Sequence, residues 1–336
     1  LQNAIRRFFK QLFVTRDERL VLSSGNELAV ELTLAGYLAN NTLLKVQLNE
    51  VSALAAKHYV AYEKLQKRRG INPDTSTAWL LDTLCVSVAR IVSPALEDAA
   101  FINFAYSYFQ KTLLRNESAL QALDEDDYSA SLFAAVHKAL LKSDVATIRA
   151  GLMSRYGILP DDLERYIAYN QHIDRLLQSA TTDKLYRIID RQGAPLRIIR
   201  RMIEDRPDFL QLLPKRDAFL DAFEKQVTKE YSRITERVNR AIIRSVIFLI
   251  ITKFLVGIAI EVPYDLWAHG QVVWQPLIIN LFFPPLYMVA LRLTLNLPGY
   301  ANTTALVDHA DVMLYGERVT LEKTRPLGRS YSKVFS

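Results

Sequence analysis

A lysine and a glutamate interrupt an apolar stretch in the last third of the chain. The segment VIFLIITKFLVGIAIE, residues 246–261, carries Lys253 near its middle and Glu261 at its end. Ionisable side chains at membrane depth are rare, and they commonly pair with one another or serve an ion or proton path. These two residues therefore raise two alternatives, a conducting role and a structural role.

A second apolar run, residues 277–297, supplies polar side chains that could act with Lys253. They are Asn280, Tyr287 and Arg292. If the two runs form antiparallel helices, Lys253 falls level with about Tyr287, and Asn280 falls level with about Ile260. The second run has no acidic residue, which disfavours a proton relay.

Pro284 and Pro285 stand inside the second run. Because proline has no N–H, two carbonyls one turn earlier lose their helical donors, and a kink is predicted. We expect Lys253 to be structural, held by Tyr287, by a freed carbonyl or by a partner protein. Arg292 lies in the inner half of the run and can extend to the cytoplasmic headgroups.

Patterns typical of catalysis or cofactor binding do not occur in the sequence. The closest two glycines are six residues apart, so phosphate-binding glycine loops are excluded. The acidic segment ALDEDDYSA, residues 122–130, lacks the glycine and terminal glutamate of a calcium loop, and we interpret it as the start of a helix. The sequence predicts no enzymatic activity, no metal site and no cofactor.

The amino-acid composition indicates the type of secondary structure that carries these polar residues. Half of the 336 residues are hydrophobic, 23% are charged, and only 11 are glycine, so we expect a helix-rich chain. The net charge of +6 is too small to indicate a nucleic-acid partner. The single cysteine, Cys85, fits a reducing compartment and a buried position.

The apolar runs are long enough to cross a bilayer. Thirteen strongly apolar residues lie between Ile242 and Ile260. At roughly −0.3 to −0.6 kcal/mol each they contribute about −4 to −8 kcal/mol, against a cost of about 3 kcal/mol for a central lysine. We predict a transmembrane hairpin over 242–297, with spans at about 242–263 and 277–297. The alternative is a buried helical hairpin in a soluble domain.

Basic residues flank this hairpin on both sides. Those before the first span are Lys225, Lys229, Arg233, Arg237 and Arg240, and those after the second are Arg318, Lys323, Arg325, Arg329 and Lys333. The connecting loop has no lysine or arginine, and its Trp267 and Trp274 are expected to anchor at the far interface. Both termini are therefore predicted to face the cytoplasm of a bacterial inner membrane, or the inside of an organellar inner membrane.

Before the membrane, apolar residues recur at helical spacing. Residues 21–214 are predicted to form a cytoplasmic helical domain with helices over 27–69, 77–92, 95–123, 128–142, 144–156 and 161–179. Residues 215–241 form a juxtamembrane helix that continues into the first span, because no proline or glycine stands between Lys215 and Val256. Residues 298–336 are a basic C-terminal tail.

Residues 1–20 are predicted as a basic amphipathic helix. Its apolar arc contains Phe8, Phe9 and Leu12, and its basic arc contains Arg6, Arg7 and Lys10. Such a helix suits a bilayer surface. The alternative is that its apolar side packs on the domain.

The sequence thus predicts an all-α membrane protein, a multi-helix cytoplasmic domain followed by a two-helix transmembrane hairpin. We expect the lipid bilayer and other protein subunits, or a second copy, as partners. Because two spans cannot enclose a path alone, we favour a non-enzymatic membrane-anchored scaffold or accessory subunit. The alternative is an oligomeric channel or transporter component that uses the hairpin.

Overall fold

The part of the chain that the structure describes is all-helical, as predicted. The structure is a computed structural model that describes residues 1–113, 123–272, 274–294 and 300–316. Helices make up 83% of it, and no strand occurs in the described ranges. The described residues divide into two compact units, one that ends at Leu196 and one that begins at Arg197. Residues 197–214, predicted as part of the cytoplasmic domain, therefore belong to the second unit with the long helix.

The first unit is a layered helical bundle. Its helices are α1 Gln2–Thr15, α2 Glu18–Leu22, α3 Ser24–Leu34, α4 Lys45–Gln66, α5 Pro73–Val92, α6 Leu96–Thr112, α7 Glu125–Val136, α8 Val145–Arg155, α9 Leu163–Leu177 and α10 Ala180–Gln192. Asp124 caps α7 by accepting a hydrogen bond from the Asp127 N–H at 2.6 Å, so the acidic segment starts a helix, as interpreted. The predicted helix over 95–123 is described as far as Thr112, and residues 114–122 lie outside the described ranges.

The single helix predicted over 27–69 is wrong, because the chain breaks between α3 and α4. Gly36 adopts a left-handed φ of 76°, and its N–H donates to the Thr33 carbonyl at 3.0 Å. The next N–H, of Tyr37, donates to the Leu32 carbonyl at 2.9 Å. This is the glycine-dependent helix ending that satisfies the last carbonyls.

Helix α1 packs its apolar side into the first unit, which was the alternative to a membrane-surface helix. Phe9 is fully buried and Leu12 is almost so. The membrane-surface prediction is therefore wrong for these two residues, because neighbouring helices already cover them. Phe8 is half-buried, and Lys10 is exposed.

The basic side of α1 also faces protein carboxylates. Arg6 forms an ion pair with Asp82 of α5, and Arg7 lies 3.3 Å from Glu31 of α3. The predicted separate element 1–20 is thus integrated into the bundle. Helix α1 ends at Thr15, and the next residue, Arg16, takes a left-handed φ of 55°.

The second unit is dominated by one helix. Its elements are α11 Ala194–Asp205, which starts in the first unit, α12 Phe209–Leu212, α13 Arg216–Val256, a π turn Gly257–Glu261, α14 Val262–His269, α15 Trp274–Thr294 and α16 Tyr300–Tyr315. The unbroken helix predicted from about Lys215 is confirmed as far as Val256, where the π turn begins.

Part of the predicted C-terminal tail is a helix. The Arg216 guanidinium of α13 donates two hydrogen bonds to Asp311 of α16, at 2.7 and 2.6 Å. The Tyr315 hydroxyl donates to the Leu213 carbonyl at 2.7 Å. Residues 300–315 are therefore ordered by ion-pair, hydrogen-bond and aromatic contacts that only the fold provides. Residues 317–336, with all five tail cations, lie outside the described ranges.

Among the described residues, two helical stretches are long and apolar enough to cross a membrane, Pro73–Val92 and Arg216–Ala268. The first is 61% buried in its apolar window, which marks it as a core helix of the bundle, whereas the second is only 6% buried. The predicted second span corresponds to α15, whose apolar part covers Ile278–Arg292. Residues 295–297 lie outside the described ranges.

Candidate functional site

Lys253 and Glu261, the two charged residues of the segment 246–261, meet at one amide. The Lys253 ammonium donates to the side-chain carbonyl of Asn280 on α15 at 3.1 Å. The Asn280 amide N–H in turn donates to the carboxylate of Glu261. We call these three residues the polar cluster. Asn280 thus bridges a cation and an anion, so the cluster has no net charge when both are ionised.

The π turn explains how both charges reach the same amide. Along a regular α-helix, Lys253 and Glu261 would lie about 80° apart. A π turn takes roughly one more residue per turn, and its five residues return Glu261 to about the side of Lys253. The turn ends two residues before Pro263, whose ring would crowd a carbonyl in a regular helix. Its first residue, Gly257, is buried.

Tyr287 is not the partner of Lys253, contrary to the first of the predicted alternatives. Its ring stacks on that of Phe283, with centroids 6.1 Å apart, and it is largely exposed. The register predicted from the sequence places Asn280 level with about Ile260, and in the structure Asn280 contacts the next residue, Glu261. Lys253 contacts the same amide, so Asn280 joins two residues that lie about two helical turns apart.

The remaining predicted residues of the apolar helices have separate positions. Arg292 donates from Nε to the side-chain carbonyl of Asn239 on α13 at 2.7 Å. Pro284 and Pro285 lie inside α15, which continues through them, and the kink stays a prediction. Trp267 and Trp274 are exposed, by 84% and 64%, and their anchoring role stays a prediction.

A cavity of about 490 Å³ opens beside the polar cluster. Asn280 lines it with Gln275, Ile279, Phe283 and Pro284. All five belong to α15, and their character is mainly apolar. The amide is therefore the point at which this cavity meets the charged pair.

A network of buried charged and polar side chains lies in the core of the first unit, around Arg149 of α8. We call it the Arg149 network. Arg149 is only 4% exposed. Its guanidinium donates to Asp82 at 3.1 Å, to Asn170 at 2.8 Å and to Asp174 at 2.6 Å. The Trp79 indole N–H also donates to Asp174, at 2.9 Å. These residues join α5, α8 and α9.

Hydrogen bonds between neutral polar side chains extend this network to α4. The Thr83 hydroxyl lies 3.1 Å from the Tyr166 hydroxyl and 3.3 Å from the His58 ring. The other ring nitrogen of His58 contacts the Leu54 carbonyl at 2.8 Å. Burial lowers the pKa of His58 to about 4, so its ring is neutral near pH 7. Because these buried groups form hydrogen bonds with one another, the arrangement is typical of structural polar networks.

The sequence contains a signal for the Arg149 network. Asp82 stands alone in WLLDTLCV, and Arg149 stands alone in ATIRAGLM. A single charge within an apolar helical stretch indicates a buried pair. Among the described residues, no group of three or more His, Cys, Asp or Glu is placed to hold a metal ion.

No protein family model matches the chain, and neither does any curated protein or any solved structure.

Proposed function

We propose that the chain is anchored in a lipid bilayer by a two-span hairpin and serves as a non-enzymatic scaffold or accessory subunit of a larger assembly. The observation that carries this proposal is the exposed apolar surface of α13 to α15. From Ile243 to Leu291, more than twenty large apolar side chains are exposed. Water-soluble monomers rarely expose a contiguous apolar surface of this extent, whereas a bilayer covers it.

The contacts between α13 and α15 support the hairpin. Asn239 contacts Arg292, and Lys253 contacts Asn280. The residue numbers of these contacts therefore increase along α13 while they decrease along α15. This is the order expected of antiparallel neighbours. The polar cluster then lies at membrane depth, where pairing of its charges reduces the cost of insertion.

An apolar groove on the first unit supports a role in assembly. It has a volume of about 260 Å³, and its lining includes Val30, Leu34, Leu38 and Leu43. Val30 and Leu34 are more than half exposed. Exposed apolar surface of this kind is typical of contacts between protein subunits.

We further propose that both termini lie on the cytoplasmic side of a bacterial inner membrane, or on the inner side of an organellar inner membrane. Arg237 and Arg240 precede the exposed apolar surface of α13, and Arg244 lies at its start. The residues between the spans contain no lysine or arginine, which is the asymmetry of the positive-inside rule.

This topology predicts opposite thiol accessibility at two exposed positions. On intact cells, an impermeant maleimide should label Gln271→Cys at least about tenfold more than Ser232→Cys, because a closed bilayer stops the reagent. Native Cys85 should stay silent, since it is fully buried and burial raises its thiol pKa to about 12. Permeabilised cells provide the control, in which both positions react. Reversed labelling would invert the orientation, and equal labelling would contradict the hairpin.

The alternative function, a channel or transporter component, is favoured by the polar cluster and its neighbouring cavity. The scaffold proposal predicts that Asn280→Leu lowers stability in detergent by about 1–3 kcal/mol, because it leaves two charges unpaired. The triple variant Lys253→Met, Asn280→Leu, Glu261→Gln should recover this loss and keep the native assembly mass. If the wild type instead conducts ions across liposomes and the stable triple variant does not, the channel alternative replaces the scaffold.

A further inference from the structure

The basic residues of α13 change their pairing along the helix. From Lys225 to Arg233, each contacts a carboxylate. Lys225 lies 2.7 Å from Asp221, and Lys229 lies 2.8 Å from Asp205. Arg233 continues this pattern with a carboxylate at 2.8 Å. The protein therefore neutralises this half of the helix itself.

The next three arginines do not follow that pattern. Arg237 and Arg244 have no ion-pair partner in the part of the chain that the structure describes, and both are exposed. Arg240 is 4.0 Å from Glu236, at the limit of an ion pair. The positions i, i+3 and i+7 place all three within an arc of about 60° and a length of about 10 Å. We call these three residues the arginine stripe.

The same face of α13 becomes apolar directly after the stripe. One, two and three turns beyond Arg244 stand Phe248, Ile251 and Leu255, which are 65%, 54% and 61% exposed. Asn239, which contacts α15, points to the other side of the helix. The face with the stripe is therefore free of α15 over this whole length.

We propose that this face binds an anionic phospholipid, with the headgroup phosphate on the arginine stripe and the acyl chains along the three apolar residues. The inference rests on the proposed membrane anchoring. Guanidinium groups without carboxylate partners fit phosphate oxygens well. A soluble anion would use the stripe alone, whereas a phospholipid also covers the apolar continuation of the same face.

The test measures binding of phosphatidylglycerol and of phosphatidylcholine to the full chain in mild detergent by native mass spectrometry. We expect Arg237→Gln with Arg244→Gln to weaken phosphatidylglycerol binding about 25-fold, from roughly fivefold for each arginine. Phosphatidylcholine binding should not change. The matched control, Lys225→Gln with Lys229→Gln, removes the same charge from paired positions and should change binding less than about threefold.

Two outcomes would overturn the lipid site. In the first, the arginine and the lysine double variants lose phosphatidylglycerol binding equally, which indicates that binding depends on net charge alone. In the second, neither double variant loses binding. Arg237→Lys with Arg244→Lys should keep most of the binding, which separates loss of charge from misfolding. Carbonate extraction of membranes tests the underlying anchoring proposal separately from the lipid site. If the wild type itself is extracted, the anchoring proposal fails, whereas carbonate-resistant variants with unchanged lipid binding contradict the lipid site only.

Discussion

Replacing Arg149 with methionine should destabilise the first unit by about 3–5 kcal/mol, the usual cost of removing one partner from a buried ion pair. The substitution keeps much of the side-chain length, so the loss comes from polar groups rather than from a large cavity. Asp82, Asn170 and Asp174 would each lose a guanidinium donor within 3.1 Å. Asp82 would keep Arg6 as its only ion-pair partner among the described residues.

Thermal unfolding of the full chain in detergent, followed by circular dichroism, measures this effect. For a unit of this size, the transition should fall by roughly 10 °C. Arg175→Met on α9 is the matched control, because Arg175 is exposed and makes one long hydrogen bond, of 3.4 Å. It should change stability by less than about 0.5 kcal/mol. Equal effects of the two substitutions would show that the Arg149 network contributes nothing particular.

The first unit should also lose stability as pH falls from 6.5 toward 4. Burial lowers the pKa of His58 and of His137 from 6.5 to about 4 in the folded chain. Since the unfolded chain binds protons at higher pH, the stability contributed by each neutral ring is complete above pH 6.5. It is lost progressively down to about pH 4. At about 1.4 kcal/mol per pH unit, each ring accounts for about 3 kcal/mol over that window.

Denaturant unfolding at a series of pH values tests this dependence. His58→Gln should reduce the slope between pH 6.5 and 5, where most carboxylates stay ionised. Glutamine keeps a polar group near Thr83, which lies 3.3 Å from the His58 ring. His172 is the control position, since its ring is partly exposed and lies 2.8 Å from Asp127. An unchanged slope in a His58→Gln, His137→Gln double variant would contradict the burial argument.

The sequence by itself determined the helical class and the long helix. Apolar residues recur at helical spacing throughout, and no proline or glycine stands between Lys215 and Val256. These are local properties, because helix formation depends on residues three or four positions apart. The break between α3 and α4 was also local, and Gly36 was its available signal.

Contacts between distant residues depended on the tertiary structure. An amphipathic helix such as α1 buries its apolar side wherever apolar surface is available, and its sequence does not distinguish a bilayer from a neighbouring helix. Phe9 and Leu12 lie in the core because the bundle supplies that surface. The pairing of Arg149 with Asp82, 67 residues apart, likewise arises only when α5 and α8 pack together.

The polar cluster shows both contributions at one site. The sequence identified Lys253, Glu261 and Asn280 as polar residues in apolar helices, because the cost of a charge in such a stretch is a local property. It did not identify the partner of Lys253, because partner choice depends on helix rotation and on side-chain reach. The π turn at Gly257–Glu261 rotates Glu261 by roughly a quarter turn toward the side of Lys253, so that one amide can contact both charges. Only the packing of α15 on α13 places the amide of Asn280, rather than the hydroxyl of Tyr287, at Lys253.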